Sequence, residues 1–244
     1  MSKKSADLSS RDKLKQQQEL TARRARERRL LAIVAVGVVI LVVGGGIGLQ
    51  AWRTQRAPSA VPARAASFAP VTIENGRPIV LGKAEAPVRV QLYEDFHCPH
   101  CADFETEFGP TITAEQDAGR LAVELYPMSF IDAGSASAAN AMACAAEAGF
   151  GQPYYLGLFA NHTLQWRDGQ LIELAAQVTS NVPDQFNTCV TSKAHQSWAD
   201  SINAAAQTKG VTSTPTMFLN GNPVDVSGQT PESLKTMIEE AATT

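Results

Sequence analysis

Two cysteines separated by two residues, Cys98 and Cys101, offer the most distinctive chemistry in the sequence. A pair at this spacing can close as a disulfide and reopen as two thiols. The pair follows an apolar-rich run at 88–93 that indicates a strand, and it precedes a helical run. Because unpaired N–H groups at a helix start stabilise an anion, we expect Cys98 to be the exposed, nucleophilic thiolate. Cys101, one turn into the helix, is expected to be the more buried resolving thiol.

The two residues between the cysteines favour the same chemistry. Pro99 in the first helical turn costs no hydrogen bond, since proline has no N–H to leave unpaired. His100 can offer a ring N–H or a positive charge to the sulfur of Cys98. Stabilising that thiolate stabilises the reduced form, so this dipeptide predicts a pair that readily gives its disulfide to other thiols.

Other uses of a C-x-x-C pair fit the sequence less well. A zinc site normally needs a second closely spaced pair, whereas Cys144 and Cys189 are 45 residues apart. Haem attachment needs a histidine directly after the second cysteine, and Ala102 stands there. We therefore predict no metal and no cofactor beyond the redox-active disulfide itself. A purely structural C-x-x-C bond remains an alternative.

The elements that position this pair follow the order β-α-β, a long helical block, then β-β-α. Residues 133–210 contain no strand candidate, and their 78 residues far exceed the dozen or so that a crossover helix needs. An inserted helical subdomain is therefore expected there. Its predicted helices cover 135–148, 153–162, 170–178, 183–190 and 195–207.

Turn residues predict two hairpins and the last helix. Residues 71–73 and 79–81 flank the sequence ENGRP, which favours a short hairpin. Residues 216–219 and 224–226 bracket an Asn-Gly-Asn-Pro turn, the strongest hairpin signal in the chain. Pro231 is expected to begin a final helix that ends near residue 241.

An apolar run near the N-terminus indicates a membrane anchor. Residues 30–49, LLAIVAVGVVILVVGGGIGL, contain no charged or polar side chain, and a helix of that length spans roughly 30 Å. Residues 1–29 contain ten Lys or Arg against four Asp or Glu, which keeps that flank in the cytoplasm. We predict a cytoplasmic basic tail at 1–29, a single transmembrane signal-anchor at 30–52 and an extracytoplasmic remainder. A cleaved signal peptide is the alternative.

The part of the chain after the anchor is expected to be one folded domain on a tether. Residues 53–70 are rich in Ala, Pro, Ser and Arg, a composition typical of a flexible linker, and 71–244 has the length of one domain. From residue 53 onward there are eleven basic and twenty acidic residues, which argues against a nucleic-acid partner.

The other two cysteines, Cys144 and Cys189, both fall in the helical insertion. An extracytoplasmic location is oxidising, so we interpret them as a structural disulfide. Closing a loop of this length is worth on the order of 4 kcal/mol in the chain-entropy model. Two free buried thiols or a second redox relay are the alternatives.

The combination of strand, CPHC, helix, helical insertion and a late Thr-Pro before a hairpin resembles the DsbA-type thiol:disulfide oxidoreductases of the thioredoxin superfamily. The run YEDFHCPHC is similar to membrane-anchored members from Gram-positive and actinobacterial cell envelopes. The resemblance covers residues 71–244 and implies an α/β thioredoxin fold with an inserted helical subdomain, preceded by one N-terminal transmembrane helix. It places the family's cis-proline at Pro215 after Thr214, where both would contact substrate. His97 is expected to line the same groove.

Two features depart from this family. Many thioredoxin-fold enzymes carry a buried acid six residues before the first cysteine, where it relays protons to the second thiol, but that position is Leu92 here. Glu94 and Asp95 could take that role or could be exposed charges at the strand end. Threonine before the cis-proline also occurs in isomerases of the superfamily, so a disulfide isomerase or reductase of the cell envelope is an alternative.

With the resemblance, the sequence predicts a membrane-tethered thiol:disulfide oxidoreductase that donates disulfides to exported proteins as they fold. The implied partners are those exported substrates and a quinone-linked membrane oxidase that recycles the enzyme. The catalytic domain is expected to be monomeric. A non-catalytic thioredoxin-fold binding module is the alternative from another class, and the intact CPHC motif argues against it.

Overall fold

A computed structural model describes residues 31, 34–46, 57–58 and 68–243. The chain divides into two units, Met1–Trp52 and Arg53–Thr244. In the first unit residues 34–46 are helical, and no helix among the described residues is both long and apolar enough to cross a bilayer. The predicted cytoplasmic tail, and most of the predicted linker and several positions of the predicted anchor, lie outside the described residues.

The second unit is built on a five-stranded sheet in the order β1-β3-β2-β4-β5. Strands β2 and β3 are parallel, and the other neighbours are antiparallel. The central strand β2 alternates buried with half-buried residues in its first half, and its last three residues are all buried. The strands are β1 (Ile79–Gly82), β2 (Val88–Glu94), β3 (Leu121–Pro127), β4 (Thr216–Leu219) and β5 (Asn222–Val224).

Helices connect these strands in the predicted order, and the predicted helical insertion is confirmed. Two helices, α1 (Pro99–Glu107) and α2 (Gly109–Asp117), join β2 to β3, and α8 (Pro231–Ala241) ends the domain. Between β3 and β4 lie α3 (Ala133–Glu147), α4 (Gly151–Ala160), α5 (Asp168–Val178), α6 (Asp184–Thr191) and α7 (Gln196–Thr208).

The central helix of the insertion is α3, whose sequence AGSASAANAMACAAE is dominated by alanine. Most of its residues are buried, and it packs against α4, α6 and α7. Small side chains allow these helices to approach closely on several sides. Because β2 and β3 are parallel, they end at the same edge of the sheet. The insertion begins shortly after β3, so it starts at the edge where the C-x-x-C pair lies.

The predicted hairpin between residues 71–73 and 79–81 is wrong. Strand β1 pairs with β3 instead, and the preceding segment lies on the helices. The backbone N–H of Val71 donates to the carbonyl of Ala146 over 3.2 Å, and that of Gly76 donates to Ser201 Oγ over 2.8 Å. The indole of Trp198 donates to the carbonyl of Arg77 over 2.9 Å. The turn lies where the sequence predicts it, but helix contacts rather than strand pairing satisfy the backbone groups of this segment.

The second predicted hairpin is confirmed, with β4 and β5 joined by Asn220 and Gly221, but its second strand covers Asn222–Val224 rather than the predicted 224–226. Both residues have positive φ, 47° and 84°, as a two-residue hairpin turn demands. The side chain of Asn220 also accepts a hydrogen bond from the backbone N–H of Arg89 over 2.8 Å, which ties the turn to β2. Pro231 begins α8 as predicted.

Candidate active site

Cys98 and Cys101 lie where β2 gives way to α1. Cys98 is the N-cap of α1, with φ −74° and ψ 117°, and Pro99 occupies the first turn. Both cysteines are free thiols. Cys101 is fully buried. Cys98 is only 6% exposed, so it is less accessible than the exposed thiol that the sequence predicts. Cys98 is still the more exposed of the two residues and the one at the helix start, where an anion is favoured.

The chain meets Cys98 a second time through the loop before β4. The peptide bond between Thr214 and Pro215 is cis, as the resemblance implied. The thiol of Cys98 donates to the carbonyl of Thr214, with 3.6 Å between sulfur and oxygen. A backbone carbonyl beside the nucleophilic sulfur is therefore available at the position predicted to contact substrate.

The two histidines near the cysteines occupy different environments. His100 is exposed in the first turn of α1, and its predicted interaction with Cys98 remains a prediction. The side chain of His97 is only 7% exposed and its Nδ1 lies 2.7 Å from Asp132 Oδ1. This contact gives His97 a positioning role in the loop before Cys98, whereas its predicted contact with substrate remains a prediction.

A buried carboxylate holds the loop before Cys98. Asp95 is fully buried, not an exposed strand-end charge. Its Oδ1 accepts hydrogen bonds from the N–H of His97 over 2.9 Å and from Ser135 Oγ over 2.7 Å, and its Oδ2 accepts from the N–H of Ile131 over 3.4 Å. Burial raises the pKa of Asp95, and these donors partly oppose that effect.

A second carboxylate, Asp132, connects the loop before Cys98 to the start of α3. Its Oδ1 accepts from the backbone N–H groups of Gly134 and Ser135, which caps α3, and it also meets the His97 ring. Partial burial acts against ionisation, but these backbone donors and the ring lower the pKa of Asp132. We call Asp95, His97, Asp132 and Ser135 the clasp. It joins the loop before Cys98 to the first turn of the insertion.

Two further acids and one tyrosine form a buried cluster beside Cys101. Glu94, at the end of β2, is fully buried, whereas Glu105 on α1 is half-buried. The hydroxyl of Tyr155 on α4 lies between them, in a short hydrogen bond with Glu94 Oε2 and 2.7 Å from Glu105 Oε1. The other oxygen of Glu94 has no hydrogen-bond partner among the described residues. Glu94 lies on the same face of β2 as Leu92, two residues earlier, because side chains alternate along a strand.

This environment disfavours negative charge. Burial raises the pKa of Glu94 well above that of an ordinary carboxyl, and the nearby Glu105 and Cys98 raise it further. Burial likewise raises the pKa of Glu105. Burial, then the nearby Glu94, raises the pKa of the Cys101 thiol. Cys101 is therefore a poor leaving group as a bare thiolate, and a protonated acid beside it would help it leave.

A cavity of about 390 Å³ opens beside Glu105, between α1, α2 and α4. Its lining is mostly apolar, and Glu105 is its one titratable residue among those described. None of Cys98, His100, Thr214 and Pro215 lines it. Its walls are formed by Ala102, Glu105, Thr106, Gly109, Pro110, Thr113, Leu156, Phe159 and Ala160.

The predicted structural disulfide is present and joins α3 to α6. Cys144 and Cys189 have an S–S distance of 2.05 Å and a Cα–Cα distance of 5.9 Å. His195 lies nearby, with ligand atoms of all three residues within 4.8 Å, and its Nε2 is 3.0 Å from Glu147 Oε2. Since the two sulfurs are bonded to each other, neither is a thiolate that could bind a metal ion, and we assign no metal here.

The sequence-based prediction of the site missed Glu105, Tyr155 and the clasp residues Asp132 and Ser135. Glu105 could have been found, because it lies four residues after Cys101 and shares a helix face with that buried thiol. Asp132 followed by an alanine-rich run is an N-cap signal. No local pattern marks Tyr155, because its role depends on how α4 packs against α1.

Comparisons with known proteins address the fold of this chain. A family model described as Thioredoxin matches residues 74–240. No protein with a curated description matches the chain at a significant level.

Several solved structures are similar over most of the chain. DsbA from Mycobacterium tuberculosis in its reduced form is 23% identical, with a TM-score of 0.60 over 69% of this chain and 93% of that one. The disulfide bond oxidoreductase DsbG from the same organism is 24% identical, with a TM-score of 0.61 over 70% and 90%. MdbA, a thiol-disulfide oxidoreductase from Corynebacterium diphtheriae, is 22% identical, with a TM-score of 0.57 over 73% and 94%. At these identities the likeness establishes the fold, and DsbG and MdbA are named as oxidoreductases.

Proposed function

The chain belongs to the thioredoxin family, and on that basis we propose that it is a thiol:disulfide oxidoreductase that donates disulfide bonds to exported proteins. One observation supports this most directly. The Cys98 sulfur lies at the start of α1 beside the Thr214 carbonyl, while Cys101 lies one turn deeper and is fully buried. This arrangement presents one sulfur to an incoming thiolate and shields the other.

In the proposed reaction a substrate thiolate attacks the sulfur of Cys98 in the oxidised enzyme. A bond forms between the substrate sulfur and Cys98, the Cys98–Cys101 bond breaks, and Cys101 leaves with the electron pair and takes up a proton. The second substrate thiolate then attacks the substrate sulfur of the mixed disulfide, and Cys98 leaves. The substrate is oxidised by two electrons, and the enzyme is left reduced, with Cys98 as a thiolate and Cys101 as a thiol.

The acid nearest to this chemistry in the proposed mechanism is Glu94. It interacts electrostatically with both thiols, and its burial keeps it protonated to higher pH than an ordinary carboxyl. Leu92, which occupies the position of the family's acid, is buried and has no proton to give. In this chain we assign Glu94 as the donor of the proton that Cys101 takes up as it leaves. Glu94 lies two residues after Leu92, which is one strand period further along β2 and on the same face.

Continued donation requires that Cys98 and Cys101 be reoxidised after each cycle. We propose, from the resemblance, that a quinone-linked oxidase of the membrane removes these electrons. The basic flank at 1–29 and the apolar run that follows it support a single-pass protein with its N-terminus in the cytoplasm and its catalytic domain outside. The substrates would then be exported proteins that reach the domain with free thiols.

Trapping of mixed disulfides tests this function. In the full chain, Cys101→Ala removes the resolving thiol, so we expect substrate proteins to accumulate on Cys98 in complexes that dissociate under reductant. Cys98→Ala should accumulate none, and the Cys144→Ala/Cys189→Ala double variant should trap no more than the unmodified chain. Oxidation of a reduced dithiol peptide by the purified oxidised protein is the companion assay.

The outcomes separate the alternative functions. Equal trapping by both single variants would contradict the assignment of Cys98 as nucleophile. Rapid rearrangement of scrambled disulfides with little net oxidation would favour an isomerase. Absence of any exchange with dithiols would favour a non-catalytic binding module.

A further inference from the structure

The proposed exchange requires a proton at a place that solvent does not reach from the substrate side. Cys101 is fully buried, and a substrate bonded to Cys98 would cover the side of the site at Thr214 and Pro215. Burial makes the thiolate of Cys101 unfavourable, so a proton must arrive as the bond to Cys98 breaks.

The contacts of Tyr155 define a chain of exchangeable hydrogens behind Cys101. Its hydroxyl lies within hydrogen-bond distance of Glu94 and Glu105 at once. A hydroxyl has one hydrogen to donate, and an ionised carboxylate has none, so the second contact requires a hydrogen on one of the two acids. The three groups therefore hold at least one carboxyl proton among them in this geometry.

Exposure increases in steps along the same three residues. Glu94 is fully buried, Tyr155 is 5% exposed, and Glu105 is half-buried where it lines the cavity between α1, α2 and α4. The ring of Tyr155 packs edge-on against both Phe96 and Phe159, with centroid distances of 6.1 and 5.2 Å. The hydroxyl is thus held in place, and the cavity gives the outer acid a route to solvent.

We propose that Glu94, Tyr155 and Glu105 form a hydrogen-bonded path that carries protons between Cys101 and the cavity, on a side of the domain that bound substrate leaves open. This inference rests on the proposed exchange at Cys98 and Cys101. It assigns to Tyr155 and Glu105 a role in the reaction although neither is part of the C-x-x-C motif.

Disulfide donation moves one proton inward along this path. The carboxyl hydrogen of Glu94 passes to the leaving sulfur of Cys101, which leaves Glu94 ionised. The hydroxyl hydrogen of Tyr155 passes to Glu94 as the carboxyl hydrogen of Glu105 passes to Tyr155. Glu105 then takes one proton from water in the cavity. Reoxidation of the two thiols moves one proton outward by the same steps in reverse.

Single-turnover reduction of the oxidised full chain by dithiothreitol tests the path, because the reagent attacks Cys98 and expels Cys101. Tyr155→Phe keeps the ring contacts and removes only the hydroxyl, so we expect the rate to fall at least 10-fold, a modest share of what proton transfer contributes in enzymes. The matched control is Tyr154→Phe, which removes the neighbouring hydroxyl that donates to the carbonyl of Leu171 over 2.9 Å. Its rate should stay within about twofold of the unmodified chain.

Chemical rescue distinguishes a role of Glu105 in proton transfer from a purely structural role, because an added acid can replace a lost proton donor but not a lost packing contact. Glu105→Ala should slow the same reaction, and added formic acid, small enough for the cavity, should restore the rate in proportion to its concentration. Formate should have no effect on the unmodified chain or on Glu107→Ala, which removes an exposed acid from the same helix. Should Tyr155→Phe fail to fold, the rescue of Glu105→Ala decides the matter alone.

Folded Tyr155→Phe and Glu105→Ala variants that react at the unmodified rate from pH 5 to 8 would overturn the path while leaving the proposed function intact. A slowed Glu105→Ala variant that formate does not rescue would also contradict it. Failure of the unmodified chain to oxidise any dithiol would instead refute the proposed function.

Discussion

At the scale of single residues, Asp95 shows how much of the site depends on one carboxylate. It is fully buried and accepts hydrogen bonds from His97 in its own loop and from Ile131 and Ser135 near the start of the insertion. A buried acceptor that loses a donor costs about 1–3 kcal/mol, because its desolvation is no longer compensated.

Ser135→Ala should therefore lower the free energy of unfolding by about 1–3 kcal/mol. The effect should be larger than that of Ser137→Ala, a change on the same helix α3 that loses only a 3.3 Å contact with Lys193. Urea unfolding of both variants measures the difference. Equal stabilities would show that water replaces the serine hydroxyl without cost.

The exposed imidazole of His100 should influence the redox equilibrium. A positive charge or N–H donor near the Cys98 thiolate stabilises the reduced form, so His100→Ala should lower the reduction potential. Because the side chain is exposed, the change should be small, about 10–20 mV, corresponding to an interaction of less than about 1 kcal/mol. Equilibration with glutathione measures it, and His162→Ala is the control at a histidine on another element.

At the scale of elements, the disulfide between α3 and α6 should stabilise the insertion without taking part in exchange. It closes a loop of 45 residues, and the Cys144→Ala/Cys189→Ala double variant should lose on the order of 4 kcal/mol of stability. Its rate of disulfide donation should be close to that of the unmodified chain under conditions where both are folded. A large loss of rate in the folded double variant would indicate a relay between the two cysteine pairs.

The local signals in the sequence were sufficient for elements whose contacts are local. Asn220 and Gly221 specify their own turn, and the helices of the insertion follow from periodicity and capping. The partner of β1 could not be predicted in this way, because β3 lies about forty residues further along the chain and leaves no mark on residues 71–82. The same limit explains why Tyr155 was missed, whereas Cys98 and Cys101 were identified from their spacing alone.

At the scale of the whole molecule, buried acids should make stability depend on pH. A carboxyl whose pKa is raised by folding binds its proton more tightly in the folded state, so the free energy of unfolding falls as pH rises through the raised value. Burial raises the pKa of Glu105 from 4.5 to about 7, and that of Glu94 in the same direction. We expect Glu105 to contribute a loss of stability between pH 4.5 and about 7, and Glu94 to add a loss in the same direction as pH rises.

Glu105→Gln should reduce the loss of unfolding free energy between pH 5 and 7.5 by about 1–2 kcal/mol. This is less than the full pKa shift of Glu105 would give, because the carboxyl reaches the cavity. Urea unfolding at pH 5 and pH 7.5 measures it. Glu107→Gln, which changes an exposed acid on the same helix, should retain the dependence of the unmodified chain. A steeper dependence in Glu105→Gln would show that this carboxyl is ionised more readily in the folded state than in the unfolded one, opposite to the expected direction.

The charge pattern of the chain predicts its orientation in the membrane. With ten basic and four acidic residues before the apolar run, the N-terminus should stay inside the cell. Protease added to intact cells or protoplasts should digest the C-terminal domain and leave a tag at the N-terminus protected. Digestion of the tag alone would reverse the orientation and remove the basis for exported substrates.

The clasp also determines which parts of this domain could be exchanged with those of a relative. Asp95 and His97 belong to the sheet side, whereas Asp132 and Ser135 belong to the start of the insertion, and each carboxylate bonds to the opposite side. A chimera that receives a foreign helical insertion at residue 133 would keep Asp132 but lose the Ser135 hydroxyl, one of the three donors to Asp95. Such a graft should work only with a hydroxyl restored at position 135, so the junction for recombining these two parts lies after the first turn of α3.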